Sequence, residues 1–294
     1  MLDGVWRLDI IRVQGIERYA MICPSMNINL IAFPAAAFYF FGGLSTGLRL
    51  FGAEEAWRPP RNLGIALGFI GLVLHALMLY QELFTAGGLN LSFFNAVSLA
   101  AWTVAALLLI SALTKPVENL AILAFPLAAI MILLDARYPG SRLLADGAGW
   151  ALQVHVLTSM LAYSLLTLAS AQAILLAVQD NHLRRHHPGG FIRTLPPLQT
   201  MESLLFEMIG LGFVLLTVSL LTGFAYLENM FAQHLVHKTV LSIVAWLAFA
   251  MLLWGRYRFG WRGRTAIRWT LVGFAVLMLA YFGSKAVIEL VLQR

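Results

Sequence analysis

The sequence predicts an all-α, polytopic membrane bundle of about eight transmembrane helices. Both termini are expected to face outward, which in a bacterium means the periplasm. Three observations carry this. Apolar residues make up 60% of the 294 positions and charged residues only 12%, about half the charged share usual in soluble domains. Eight runs approach the roughly 20 apolar residues that a spanning helix needs. Lysine and arginine fall unequally on the two sides of those runs, and that bias sets orientation.

The first run, Leu30–Leu48, carries Pro34, which a bundle tolerates because neighbours satisfy the freed backbone groups. The second, Leu63–Phe84, embeds His75 and places Gly64, Gly68 and Gly71 at helix-packing spacing, so a close helix–helix contact is expected. The third is Phe93–Leu113. The fourth, Leu120–Leu134, is short, carries Pro126 and precedes an outer loop, Asp135–Gly149. The fifth, Trp150–Val178, holds His155 near its start. The sixth, Leu204–Leu227, has Glu207 in its first turn, where the positive end of the helix dipole favours an acid. The seventh is Thr239–Trp254, and the eighth, Trp269–Leu292, contains Lys285 and Glu289 as an i, i+4 pair.

The loops after helices 1, 3, 5 and 7 contain Arg49, Arg58 and Arg61; Lys115; Arg184, Arg185 and Arg193; and Arg256, Arg258, Arg262, Arg264 and Arg268. The loops after helices 2, 4 and 6 contain Arg137, Arg142 and Lys238. Twelve cations against three place the first set in the cytoplasm. The net charge of +6 is therefore topological, and nucleic acid is not an expected partner. Residues 1–25 fit less well. Met1–Ala20 carries Arg7, Arg12 and Arg18 without a spanning run, and lacks the basic–apolar–small order of a signal peptide. The expectation is a non-native or disordered leader over 1–25, with translation starting at Met21 or Met26.

Two histidines at membrane depth are the strongest functional signal, because an ionisable group there is costly and imidazole is the commonest metal ligand. His155 would lie roughly 8 Å inside the outer end of its helix and His75 roughly 14 Å, at 1.5 Å per residue. The difference of about 6 Å permits one shared haem without demanding it. The competing expectation is that each hydrogen-bonds a Ser, Thr or backbone carbonyl of a neighbouring helix. His234 and His237, three apart at the outer mouth of helix 7, are either a second ligand pair or solvated loop residues. His182, His186 and His187 read as part of a solvated basic inner loop, and Arg256–Arg264 as a positive-inside stop with aromatic anchoring. Glu82, Glu207, Lys285 and Glu289 lie near helix ends and read as mostly structural; a proton relay would want deeper acids.

The single Cys23 excludes an internal disulfide, and no Cys-x-x-Cys-His exists for covalent haem attachment. Nothing suggests nucleophilic catalysis, a phosphate-cradling loop or a zinc hydrolase. No bond-making step is implied, so an enzyme is not expected. The absence of paired broken helices argues against a transporter.

Several motifs, in order, resemble the cytochrome c assembly protein family. They are Gly88-Leu89-Asn90-Leu91-Ser92; Leu195-Pro196-Pro197-Leu198 with Met201-Glu202-Ser203-Leu204-Leu205-Phe206; His237-Lys238-Thr239 through Trp246; and Gly260-Trp261-Arg262-Gly263-Arg264 followed by Ala280-Tyr281-Phe282-Gly283-Ser284-Lys285. The nearest branch is the HemX/YpjD-like, CcsA-related group of inner-membrane proteins. The resemblance implies a single transmembrane domain over 26–294 that binds haem b non-covalently in the lipid bilayer. It implies His75 and His155 as iron ligands and His237 as a rim ligand, with weaker support for His234. It also implies an accessory role in c-type cytochrome biogenesis, with other maturation or haem-biosynthesis proteins as partners. The tryptophan-rich WWD segment of haem-delivering members is missing from every outer loop here. The alternative is a HemX-like regulatory or structural membrane partner that affects haem biosynthesis without binding the cofactor itself.

Overall fold

A computed structural model describes residues 28–52, 58–85, 88–90, 92–140, 150–185, 194–226 and 236–283. Their helices are α1 (Ile28–Phe51), α2 (Arg61–Leu83), α3 (Phe93–Ala112), α4 (Ala121–Arg137), α5 (Trp150–Arg184), α6 (Leu198–Tyr226), α7 (Val236–Phe259) and α8 (Arg264–Met278). A two-residue hairpin pairs β1 (Phe84–Thr85) with β2 (Gly88–Leu89), Phe84 opposite Leu89. A single π-turn, Leu279–Gly283, continues α8. Seven of these helices are long and apolar enough to cross a membrane. α8 is 15 residues long and the π-turn carries it to Gly283; the rest of the expected eighth run, Trp269–Leu292, lies outside the described residues. The leader over 1–25 lies outside the described residues.

The bundle is built as two halves, each with its own apolar core. One centres on Tyr39, Met78, Leu108, Phe125 and Ile132 of α1–α4. The other centres on Leu166, Leu176, Leu205, Phe249 and Leu277 of α5–α8. Large apolar side chains also cover the outside of the bundle, among them Phe33, Ile110, Leu221 and Trp254. In lipid such exposure costs nothing, and helix association falls to close packing and buried polar contacts.

The glycines of α2 supply that packing. A methyl on Gly64 would stand 2.7 Å from Thr46 Oγ1 and 3.2 Å from the Gly42 carbonyl of α1. One on Gly71 would touch the Tyr39 ring at 3.1 Å. The expected close helix contact is therefore found, between α1 and α2. α5 is 35 residues long, about 52 Å against a hydrocarbon core of about 30 Å. It packs against both halves and ends in the Asp180–Arg184 ion pair.

Three boundaries differ from the sequence expectation. α4 does not stop at Leu134 but runs through Arg137, so Asp135 lies in the helix and is fully buried. Phe125, Ala128, Ile132 and Asp135 fall on one face at helical spacing, and that face points inward. α6 begins at Leu198, directly after Pro196-Pro197, so Glu207 sits in its third turn and not its first. There it forms an ion pair with Lys115 of the α3–α4 connection. α5 continues past Val178, and His182 is helical, bonding the Val178 carbonyl through Nδ1 at 2.9 Å.

Candidate functional site

The structure places His75 and His155 in different halves, with no partner in common. His75 faces the α1–α4 core. Its Nε2 lies 3.0 Å from Ser98 Oγ of α3, and the Tyr39 ring meets it edge-on at 5.8 Å. The ring has no accessible surface, so no coordination position is open at either nitrogen without repacking.

His155 is different. Its Nδ1 lies 2.8 Å from the Ser219 carbonyl of α6. A carbonyl only accepts, so in the neutral ring the proton is on Nδ1 and the lone pair on Nε2. Fixing one imidazole nitrogen on a backbone carbonyl is how proteins orient a metal-binding histidine. The ring rests on α6 where Gly223 leaves room; a methyl there would stand 3.1 Å from His155 Cε1 and 3.3 Å from Nδ1.

His155 lines an open cleft of about 260 Å³ between α5, α6, α7 and the α8 end. Leu216, Leu220 and Leu277 form an apolar wall; Ser159, Tyr163, Thr239, Ser242 and Tyr281 add hydroxyls, and Lys238 supplies a cation. The volume is near the low end of small-molecule pockets, about 300–1,000 Å³. The donor set fits haem: one oriented imidazole, apolar walls for a macrocycle and a lysine for carboxylates. His237 sits in the first turn of α7, directly before Lys238 of the cleft, but its side chain lies outside the described residues, as does all of His234. His186, His187, Lys285 and Glu289 are outside them too. Among the described residues no group of three or more His, Cys, Asp or Glu is placed to hold a metal ion.

Two of the motifs singled out in the sequence meet where α6, α7 and α8 come together. Glu202 of α6 is buried and held by Arg256 at 2.7 Å and Arg262 at 3.0 Å. Arg256 also lies over the Phe206 ring at 4.5 Å. Gly260 and Gly263 adopt φ of 66° and 54°, left-handed values that favour glycine. They turn the chain so that Trp261 stacks on Trp269 and covers Gly255. This cluster staples α6, α7 and α8 and is structural. The motif around Asn90 does the same for α2, α3 and α4: Asn90 Nδ2 donates to the Gly140 carbonyl at 2.7 Å, and Ser92 caps α3.

With this geometry in hand, the comparisons with known proteins are specific. The cytochrome C assembly protein family profile matches residues 63–292. The chain is 34% identical over 233 residues to inner membrane protein YpjD of Escherichia coli (strain K12), covering 79% of this chain and 88% of that one. It is 28% identical over 243 residues to cytochrome c biogenesis protein CcsA of Thermosynechococcus vestitus, covering 70% and 73%. It is 23% identical over 309 residues to CcsA of Porphyra purpurea, covering 88% and 95%. No solved structure matches the chain. The chain therefore belongs to the cytochrome c assembly protein family, and with its apolar helices it is a multi-pass inner-membrane protein.

Proposed function

We propose that this protein handles haem in the inner membrane and assists c-type cytochrome biogenesis in an accessory role. The single observation that carries the reading is the His155 ring. Its Nδ1 is tied to the Ser219 carbonyl and its Nε2 is left bare beside an apolar cleft. His155 would hold the iron, with His237 or His234 as a second ligand, and Lys238 would supply a counter-charge for haem carboxylates. Haem, when bound, supplies the iron and its redox chemistry. The chain's own part is to fix the imidazole tautomer, exclude water with Leu216, Leu220 and Leu277, and hold the cofactor in register.

The relatives named for cytochrome c biogenesis support the pathway. The missing tryptophan-rich outer segment supports the accessory role. The unequal loop cations support eight spans with both termini periplasmic. His75 belongs to a different centre, and this reading does not require it as a ligand.

A second reading, a regulatory or structural membrane partner without cofactor, has one observation behind it. His75 and His155 each have a hydrogen-bond partner, as packing residues would. The two readings separate on the absorption spectrum of protein purified from haem-replete cells. Haem handling predicts a Soret band that is lost or strongly weakened in His155→Ala and retained in His75→Ala. No band after haem supplementation would favour the second reading.

A further inference from the structure

Where α1 ends and α2 begins, a small cavity lies apart from the His155 cleft. Ser45, Thr46 and Arg49 of α1 line it, with Arg61 of α2 and Glu118 of the 3-10 turn that leads into α4. Its volume is about 10 Å³ and it is open on one side, room for one water-sized atom. The polar groups around it are unequally matched. Thr46 Oγ1 donates to the Gly42 carbonyl at 3.0 Å. Arg61 is committed twice: Nη2 donates to the Ala112 carbonyl at 2.6 Å, and Nε pairs with Glu118 at 3.1 Å. Arg49 Nη1 is buried and has no partner. Buried polar atoms in proteins are nearly always hydrogen-bonded, and a charged donor left without an acceptor is the costlier kind.

Charge points the same way. Glu118 balances Arg61, and among the described residues no further acid lines the cavity. One positive charge is left over. A water would fill the space and satisfy the donor, but only an anion also balances that charge. We propose that the cavity is a phosphate oxyanion site, in which one phosphoryl oxygen accepts a hydrogen bond from Arg49 Nη1. Guanidinium suits this, because its N–H groups form a planar fork matched to phosphate. The Ser45 hydroxyl is a second donor, and Arg61 adds positive charge. The other phosphate oxygens stay at the open side, where the half-buried Arg49 reaches the surface.

Two sources offer that group, the headgroup of an anionic phospholipid and free phosphate. α1 has 24 residues with Arg49 in its last turn. It spans about 36 Å against a hydrocarbon core of about 30 Å, so its last turn reaches headgroup depth. Basic pockets between transmembrane helices are where anionic headgroups bind, and a phosphodiester carries the single negative charge that the cavity lacks. None of these residues lines the His155 cleft, so the site stands or falls independently of haem binding.

Native mass spectrometry of the full-length protein tests the proposal. The protein is titrated with phosphatidylglycerol, with phosphatidylcholine of the same chains and, without lipid, with inorganic phosphate. A preference for phosphatidylglycerol over phosphatidylcholine that depends on Arg49 assigns the headgroup; binding of inorganic phosphate that depends on Arg49 assigns the free anion. In either case Arg49→Gln should weaken binding by about tenfold or more, the worth of a hydrogen bond to a charged group. Arg58→Gln changes an exposed arginine of the same α1–α2 connection and should bind as the parent does. Should Arg49→Gln not fold, Arg49→Lys takes its place. It keeps the charge without the inward N–H, so it should bind several-fold more weakly, and parental affinity there would overturn the site. So would binding of both ligands that is indifferent to Arg49→Gln, or an equal loss in Arg58→Gln, which would make the attraction a general property of the basic surface.

Discussion

At Gly223 the side chain is a hydrogen, and the His155 ring occupies the space a methyl would take. Gly223→Ala should therefore push the ring a few tenths of an ångström off its Ser219 carbonyl without touching the ring's chemistry. Loss of such orienting contacts costs about 10–100-fold in metal affinity. Haem titration of the purified variant should show a loss in that range, with helix content unchanged by circular dichroism. Glu202 allows a second test. Its carboxylate is buried while Arg256 and Arg262 are partly solvated, with Arg262 the more exposed. Glu202→Gln removes one charge and leaves two arginines that water can still reach. The cost should be about 1–3 kcal/mol, that of an unmade charged hydrogen bond, and below the 3–5 of a fully buried orphaned charge. Thermal unfolding in detergent would measure it.

At the scale of the element, helix packing makes a contrast that a single pair of substitutions exposes. A methyl on Gly68 of α2 would collide with the Phe125 ring, 2.8 Å from Cε2, and would stand 3.0 Å from Leu109 Cδ2. Gly47 of α1 has nothing within 4 Å. Gly68→Ala should destabilise by about 1–3 kcal/mol through overpacking, whereas Gly47→Ala should be neutral or slightly stabilising because alanine is the better helix former. Thermal denaturation of the two variants side by side decides this. The glycine spacing on α2 was legible in the sequence, and so was the place of His75 and His155 within long apolar helices, because small residues and imidazoles stand out in an apolar run. Asp135 was not legible: an acid followed by Arg137 and Pro139 reads as the end of a span. Only its spacing from Phe125, Ala128 and Ile132 could have placed it on the buried face. Glu207 was misjudged because the apolar run begins later than the helix, which Pro197 starts at Leu198. The partners of both histidines lie more than twenty residues away, Ser98 for one and the Ser219 carbonyl for the other. No local pattern announces such contacts.

For the molecule as a whole, composition and charge bias sufficed for an all-helical membrane bundle, but not for its division into two halves. That division arises from which helix faces meet, and it separates the two histidines that the sequence invited one to pair. It also sets them in different surroundings: His155 beside an open cleft, His75 in a closed polar centre. Orientation belongs to this scale. With Cys23 replaced, a cysteine introduced at Gly190 should react with a membrane-impermeant thiol reagent only after the inner membrane is breached. One at Gly147 should react in intact spheroplasts, and the reverse pattern would invert the topology. The central claim is that the imidazole of His155 binds haem iron. Pulsed EPR of the haem-loaded protein labelled with ¹⁵N-histidine reads that bond directly. The account predicts a ¹⁵N imidazole coupling that is weakened or lost in His155→Ala and unchanged in His75→Gln. A coupling unchanged by the loss of His155, or one that vanishes with that of His75, would contradict it.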